Sequence, residues 1–254
     1  MFNRARKWGD PMRSNLVRAS ALTSLILAPA AAAANPVAAT PVTITYQCQA
    51  TPPLSAPQTL TMSLGVSATA PSTANAGDSV AITLAPAAMQ VPGTVSGHTL
   101  DNIRGVQLTL PVPTDSTYVS GTLTGGTVSA TITRSGGTIT VSAPDAVAGG
   151  TAFTLPAAAI DVTATAAGTI TSTVGGTSYS DPGLTFTASV ESGTILGAVD
   201  VPVACYPSPA PTLTTTTVTT ANPGGGTGGG SGSSGSSLLS NLPLLGSLSG
   251  ATKS

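Results

Sequence analysis

Val42-Thr43-Ile44-Thr45-Tyr46 puts an apolar side chain at every second position, and Cys48 follows two residues after Tyr46 in the same phase. A period of two in β-branched residues demands an extended strand with one face in a core and one in solvent. Threonine suits the outer face, because it favours strands and hydrates without charge. The rhythm recurs in Val106-Gln-Leu-Thr-Leu110, Thr138-Ile-Thr-Val141 and Leu184-Thr-Phe-Thr-Ala188. It is looser in Val80-Ala-Ile-Thr-Leu84, Val128-Ser-Ala-Thr-Ile132 and Val199-Asp-Val-Pro-Val203. Gly125-Gly126, Gly136-Gly137 and Gly175-Gly176 lie between runs and supply the positive φ that tight hairpins need. No stretch carries a sustained helical stripe. The expected fold class is all-β, a sandwich over about residues 35–206.

Composition removes several functions at once. Charged residues make up 7% of the 254, against about 25% in an ordinary domain. That balance excludes a basic nucleic-acid binder, a coiled coil and an acidic disordered tail. With one histidine, acid–base catalysis has few groups to work with. Five of the eight basic residues (Arg4, Arg6, Lys7, Arg13, Arg18) precede the apolar run Ala19–Ala34, which ends in Ala32-Ala33-Ala34. This is the layout of a secretory signal peptide over residues 1–34, and Met12–Ala34 alone also carries it. The run is too short and alanine-rich to span a bilayer. Cleavage after Ala34 leaves 220 residues with three basic and eight acidic side chains, a mildly acidic chain without tryptophan.

A weak internal repeat runs through the strands. Ala76-Gly77-Asp78-Ser79, Thr83-Leu84 and Ala87-Ala88-Met89-Gln90-Val91 recur as Ala148-Gly149-Gly150-Thr151, Thr154-Leu155 and Ala158-Ala159-Ile160-Asp161-Val162. The repeat predicts either two side-by-side lobes, about 42–124 and 125–206, or one large sandwich. Cys48 and Cys205 bear on that choice. In an exported chain with no other cysteine and a solitary histidine, a disulfide between them is the expected state. It requires Cα atoms within about 7 Å, so beads strung end to end are excluded and the first and last strands become neighbours.

Beyond Tyr206 the composition shifts. Pro207–Pro223 is rich in Pro and Thr, and 224–237 is nearly pure Gly and Ser, so 207–237 reads as an extended stalk and then a flexible linker. Such a stalk is a substrate for O-glycosylation in a secreted protein. Residues 238–254 follow, with Leu238, Leu239, Leu242, Leu244, Leu245 and Leu248 inside eleven positions. That segment is too short to span a membrane, and Pro243 limits any helix. It reads as a tethered apolar peptide contacting an envelope component or another protein, or as part of a disordered tail.

Candidate chemistry is sparse. His98 with Asp101 or Asp115 and a serine would be the only hydrolase triad available, yet no Gly-x-Ser-x-Gly elbow exists. One glutamate and scattered turn aspartates do not make a glycosidase pair. No metal, cofactor or nucleotide motif appears, so no cofactor is expected. Arg104 is either a ligand contact or half of a surface salt bridge. Tyr118, Tyr179 and Tyr206 suit sugar stacking, although they are far apart in sequence. The loop Thr177-Ser-Tyr179-Ser-Asp181-Pro-Gly183 is the most distinctive, making Tyr179 and Asp181 the first candidates for binding.

Thr45-Tyr-Gln-Cys48, Asn102-Ile-Arg104 leading into Leu108-Thr-Leu-Pro-Val-Pro113, Gly176–Phe186, and Cys205-Tyr-Pro-Ser-Pro209 resemble segments of uncharacterised secreted immunoglobulin-like β-sandwich proteins of actinobacteria. The resemblance covers about residues 42–220 and implies an immunoglobulin-like secreted module. Members are sometimes labelled cyclases or dehydratases without residues to support it. The combined expectation is a secreted, non-enzymatic cell-envelope protein with a structural, adhesive or protein-binding role. A lipid- or glycan-binding module is the alternative and a hydrolase or lyase the third. No transmembrane span is expected after cleavage.

Overall fold

The computed structural model describes residues 40–53, 55–191 and 197–220, and among them there is no helix. The expected signal peptide, the Gly/Ser segment and the leucine-rich segment lie outside the described residues. The opening stretch forms β1 (Thr40–Ala50), with Ile44, Tyr46 and Cys48 fully buried and the residues between them facing outward. On one side β1 pairs with β2 (Gln58–Thr69), on the other with β16 (Ala198–Pro207), both antiparallel. The first strand thus sits beside a strand from the far end of the chain. Cys48 and Cys205 stand directly opposite in that ladder, joined by a disulfide with Cα atoms 4.0 Å apart.

The main sheet continues outward from this pair. Beyond β2 come β4 (Ser79–Pro86), β13 (Ala157–Ala164) and β8 (Ser116–Thr124). Beyond β16 come β15 (Leu184–Glu191), β7 (His98–Pro111), β10 (Thr138–Ala143) and β9 (Thr131–Ser135). Short strands β6 (Thr94–Val95) and β11 (Val147–Ala148) pair with β7. The end strands β8 and β9 meet without a ladder. The Arg134 guanidinium lies 5.6 Å from the Tyr118 ring centroid, and Ile132 covers Gly121. The sheet therefore curls back on itself, and side chains close it. The result is all-β as expected, sandwich- or barrel-like, with one continuous core.

Strands from residues 42–124 and from 125–206 mingle in this one sheet, the arrangement of one large sandwich. The two copies of the repeat face each other. β4 pairs with β13 through Leu84↔Ala158, and the same register carries on in β5 (Met89–Gln90) paired with β12 (Ala152–Phe153). Gly136-Gly137 turns the β9–β10 hairpin as expected. Gly125-Gly126 does not turn a hairpin, because β8 and β9 are unpaired and residues 125–130 bridge them.

The threonine run differs more. Where a stalk was expected from residue 207, Pro207 ends β16 and Thr212–Thr219 forms β17. It lies between β14 (Gly168–Thr173) and β3 (Thr73–Asn75) in a second sheet. Leu213 and Val218 are buried, and Thr216 is buried too because its hydroxyl donates to Pro71 O at 2.7 Å. A threonine with a partnered hydroxyl serves as a core residue, which hides the alternation in a run of four.

Inside, the packing leaves a void of about 10 Å³, bordered by Val66, Leu84, Leu108, Leu155 and Val174 among others. That is about the space of one water molecule in apolar surroundings, too little for a ligand. Two buried polar atoms lack a hydrogen-bond partner among the described residues, Asn102 Oδ1 and, deep in the core, the Tyr46 hydroxyl. Burial pushes its phenol above the ordinary tyrosine range. Tyr46→Phe is expected to raise stability by about 1 kcal/mol or more, since an orphaned buried polar group is removed and the ring is kept. A folded-state pKa above the unfolded value of about 10 means the unfolded chain loses its proton first, so stability falls as pH rises past 10. Urea midpoints at pH 7 and pH 11 test both parts, and Tyr46→Phe should flatten the alkaline loss.

Candidate functional site

The outward positions of β1, β16, β15 and β7 make one polar face. Register aligns them in rows: Gln49 beside Ala204, Ala204 beside Thr185, and Thr185 beside Gln107. The next row holds Gln47 beside Tyr206. In the other direction Pro202 stands beside Thr187, and Thr187 beside Arg104. Ala204 makes a low floor between longer side chains. Gln49, Thr185 and Gln107 make no side-chain hydrogen bond among the described residues, while Gln47 Oε1 accepts a long one from Thr61 at 3.5 Å.

The Thr177–Gly183 loop covers one end of this face, and backbone contacts at its neck hold it there. Gly175 N donates to Thr109 O at 2.8 Å, Thr109 N to Gly183 O at 2.8 Å, and Gly183 N to Cys205 O at 2.8 Å. A Cβ on Gly183 would fall on Gly175 O, and one on Gly176 would fall on Gly183 N. Glycine is needed at both positions because two backbones cross without room for a side chain. Gly175-Gly176 therefore builds a neck, not the hairpin turn its spacing suggests.

Within the loop Asp181 is a turn residue. Its carboxylate accepts from Thr177 Oγ1 at 2.8 Å, and its backbone N–H donates to Ser178 Oγ at 3.2 Å. These bonds fix the path of the loop and aim Tyr179 at Tyr206. The two rings meet edge to face, with centroids 5.1 Å apart and planes at 73°. Both tyrosines are half-buried, and neither hydroxyl has a partner among the described residues. So the structure groups two of the three tyrosines that the sequence scatters. Tyr118 lies apart, at the β8–β9 seam with Arg134.

Arg104 forms a salt bridge with Asp200, reaching across β15 from β7 to β16, and both side chains are substantially exposed. The salt-bridge reading of Arg104 is the one the geometry supports. The two charges cancel on this face. His98 is exposed at the start of β7, and Asp101 is engaged by Asn102 Nδ2 at 2.8 Å. Asp161 accepts from Ser120 Oγ at 2.9 Å and Asp78 caps a turn at Asn75. Among the described residues no three His, Cys, Asp or Glu side chains group to hold a metal. Leu238, Leu239, Leu242, Leu244 and Leu245 lie outside the described residues. Sequence reasoning missed Gln47, Gln49, Gln107 and Thr185; their outward phase was readable, but the register that gathers them was not.

No family model matches the chain, and no curated protein does. One similar solved structure is that of a "Putative membrane anchored protein" from Corynebacterium diphtheriae, at 15% identity and a TM-score of 0.45. The match covers 72% of this chain and 38% of that one. Among the described residues no helix is long and apolar enough to cross a membrane.

Proposed function

We propose that the protein is an exported, non-enzymatic module of the cell envelope that works by binding through its surface. The observation that carries this reading is the fully buried Cys48–Cys205 disulfide joining two central strands. Such bridges form and persist in oxidising compartments. A basic, alanine-rich leader agrees with that address. The packed core agrees with a role at the surface: among the described residues the apolar void inside it is about 10 Å³. Leu238, Leu239, Leu242, Leu244 and Leu245 are the residues proposed to contact the envelope or a partner in it.

Fractionation of the producing cells tests the reading. The full chain should be found outside the cytoplasm, in the envelope fraction. Deleting residues 238–254 should move it to the medium. Recovery of the mature protein from the cytosol would sink the export reading, and an unchanged envelope share after the deletion would sink the role of the leucines.

A further inference from the structure

We propose that the outer face of β1, β16, β15 and β7 binds a neutral polysaccharide, with Tyr179 and Tyr206 as its stacking residues. The inference rests on the reading of the protein as an exported envelope module and names the partner's chemistry. Sugar rings offer apolar C–H faces and hydroxyl edges, so their binding sites pair aromatic faces with unengaged amides and hydroxyls. This face has both. An edge-to-face pair occupies a face of only one ring, and the two phenol hydroxyls are unpaired at its margin. Beside the tyrosines, Gln49 and Thr185 flank the low Ala204, and Gln107 extends the row beyond Thr185.

Charge selects the class of glycan. Arg104 and Asp200 neutralise each other, and Asp181 is held by Thr177. A face with no unpaired cation but with free amides and hydroxyls suits an uncharged chain better than an anionic one. An anionic glycan or lipid headgroup would need a surplus of cations, and Arg104 and Arg134 are the only two between Cys48 and Cys205. Shape selects a chain over a single sugar. The four strands span roughly 14 Å from β1 to β7, an open strip along which successive rings can lie.

Affinity electrophoresis of the full chain in native gels tests the proposal. Gels would be cast with a soluble glucan, a galactomannan or an arabinogalactan, and control gels with alginate. Retardation by at least one neutral polysaccharide is expected. Tyr206→Ala should weaken it about tenfold, equivalent to roughly 1.4 kcal/mol. Tyr206→Phe, which keeps the ring, should retain most of it. Gln107→Ala should reduce it, and Thr122→Ala, exposed on β8 away from this face, should not. Failure of every neutral polysaccharide to retard the protein would overturn the proposal, as would retardation by alginate alone or retardation indifferent to Tyr206→Ala. Protein found in the envelope but not retarded would overturn the glycan partner and leave the export reading standing.

Discussion

A chain with Cys48 and Cys205 both replaced by alanine should lose up to about 5 kcal/mol of stability in the chain-entropy account of a long disulfide loop. The bridge closes 157 residues of sequence separation, nearly the whole described fold. Its removal frees the denatured chain while leaving most native contacts in place, so the midpoint in urea should fall sharply. Alanine at both positions, not at one, avoids a stray buried thiol. The parent chain supplies an internal check. Both sulfur-bearing residues are inaccessible in the folded state, so reductant without denaturant should act slowly, and reductant in urea should bring the midpoint to that of the double variant. Equal midpoints for parent and variant would show that the bridge contributes nothing.

Gly183→Ala should be nearly as damaging, for a different reason. The new methyl would fall on Gly175 O, a backbone atom that cannot rotate aside. Relief requires the loop neck to open, which breaks the bonds from Thr109 N to Gly183 O and from Gly183 N to Cys205 O. A loss of about 3 kcal/mol or more is expected, the upper end for overpacking. Near-ultraviolet dichroism should change as well, since the loop would release Tyr179 from Tyr206. Gly137→Ala is the matched control, because nothing lies within 4 Å of its added methyl. Its effect should stay within about 0.5 kcal/mol. Similar midpoints for the two alanine variants would refute the steric account of the neck.

The strands with a strict two-residue rhythm were readable. Val42–Tyr46, Val106–Leu110, Thr138–Val141 and Leu184–Ala188 all fall inside long strands, and their apolar positions face the core, with Val42 and Phe186 only partly buried. Reading failed where composition blurred the contrast between the two faces. Thr212–Thr219 hid a buried Thr216, and Ser116–Thr124 mixes small polar and apolar residues along an end strand. The cysteines correctly demanded that the first strand lie beside a late one, although that neighbour is β16 and the last strand, β17, goes to the second sheet. Nothing local showed that the repeat copies would pair with each other, because strand order and register are set by contacts between distant segments. The candidate site was half legible for the same reason. Tyr179 and its loop stood out, whereas Gln47, Gln49 and Gln107 acquire meaning only once β1, β16, β15 and β7 lie side by side.

The position of β1 next to β16 also sets an order of events in time. The first strand lacks one of its two neighbours until the chain has been extended almost to its end. Folding dominated by such distant pairings is slow, on the scale of milliseconds to seconds, since chain closure must precede its reward. While the later part of such a polypeptide is held back, one whole edge of its first strand stays without its ladder, and the fold cannot be completed.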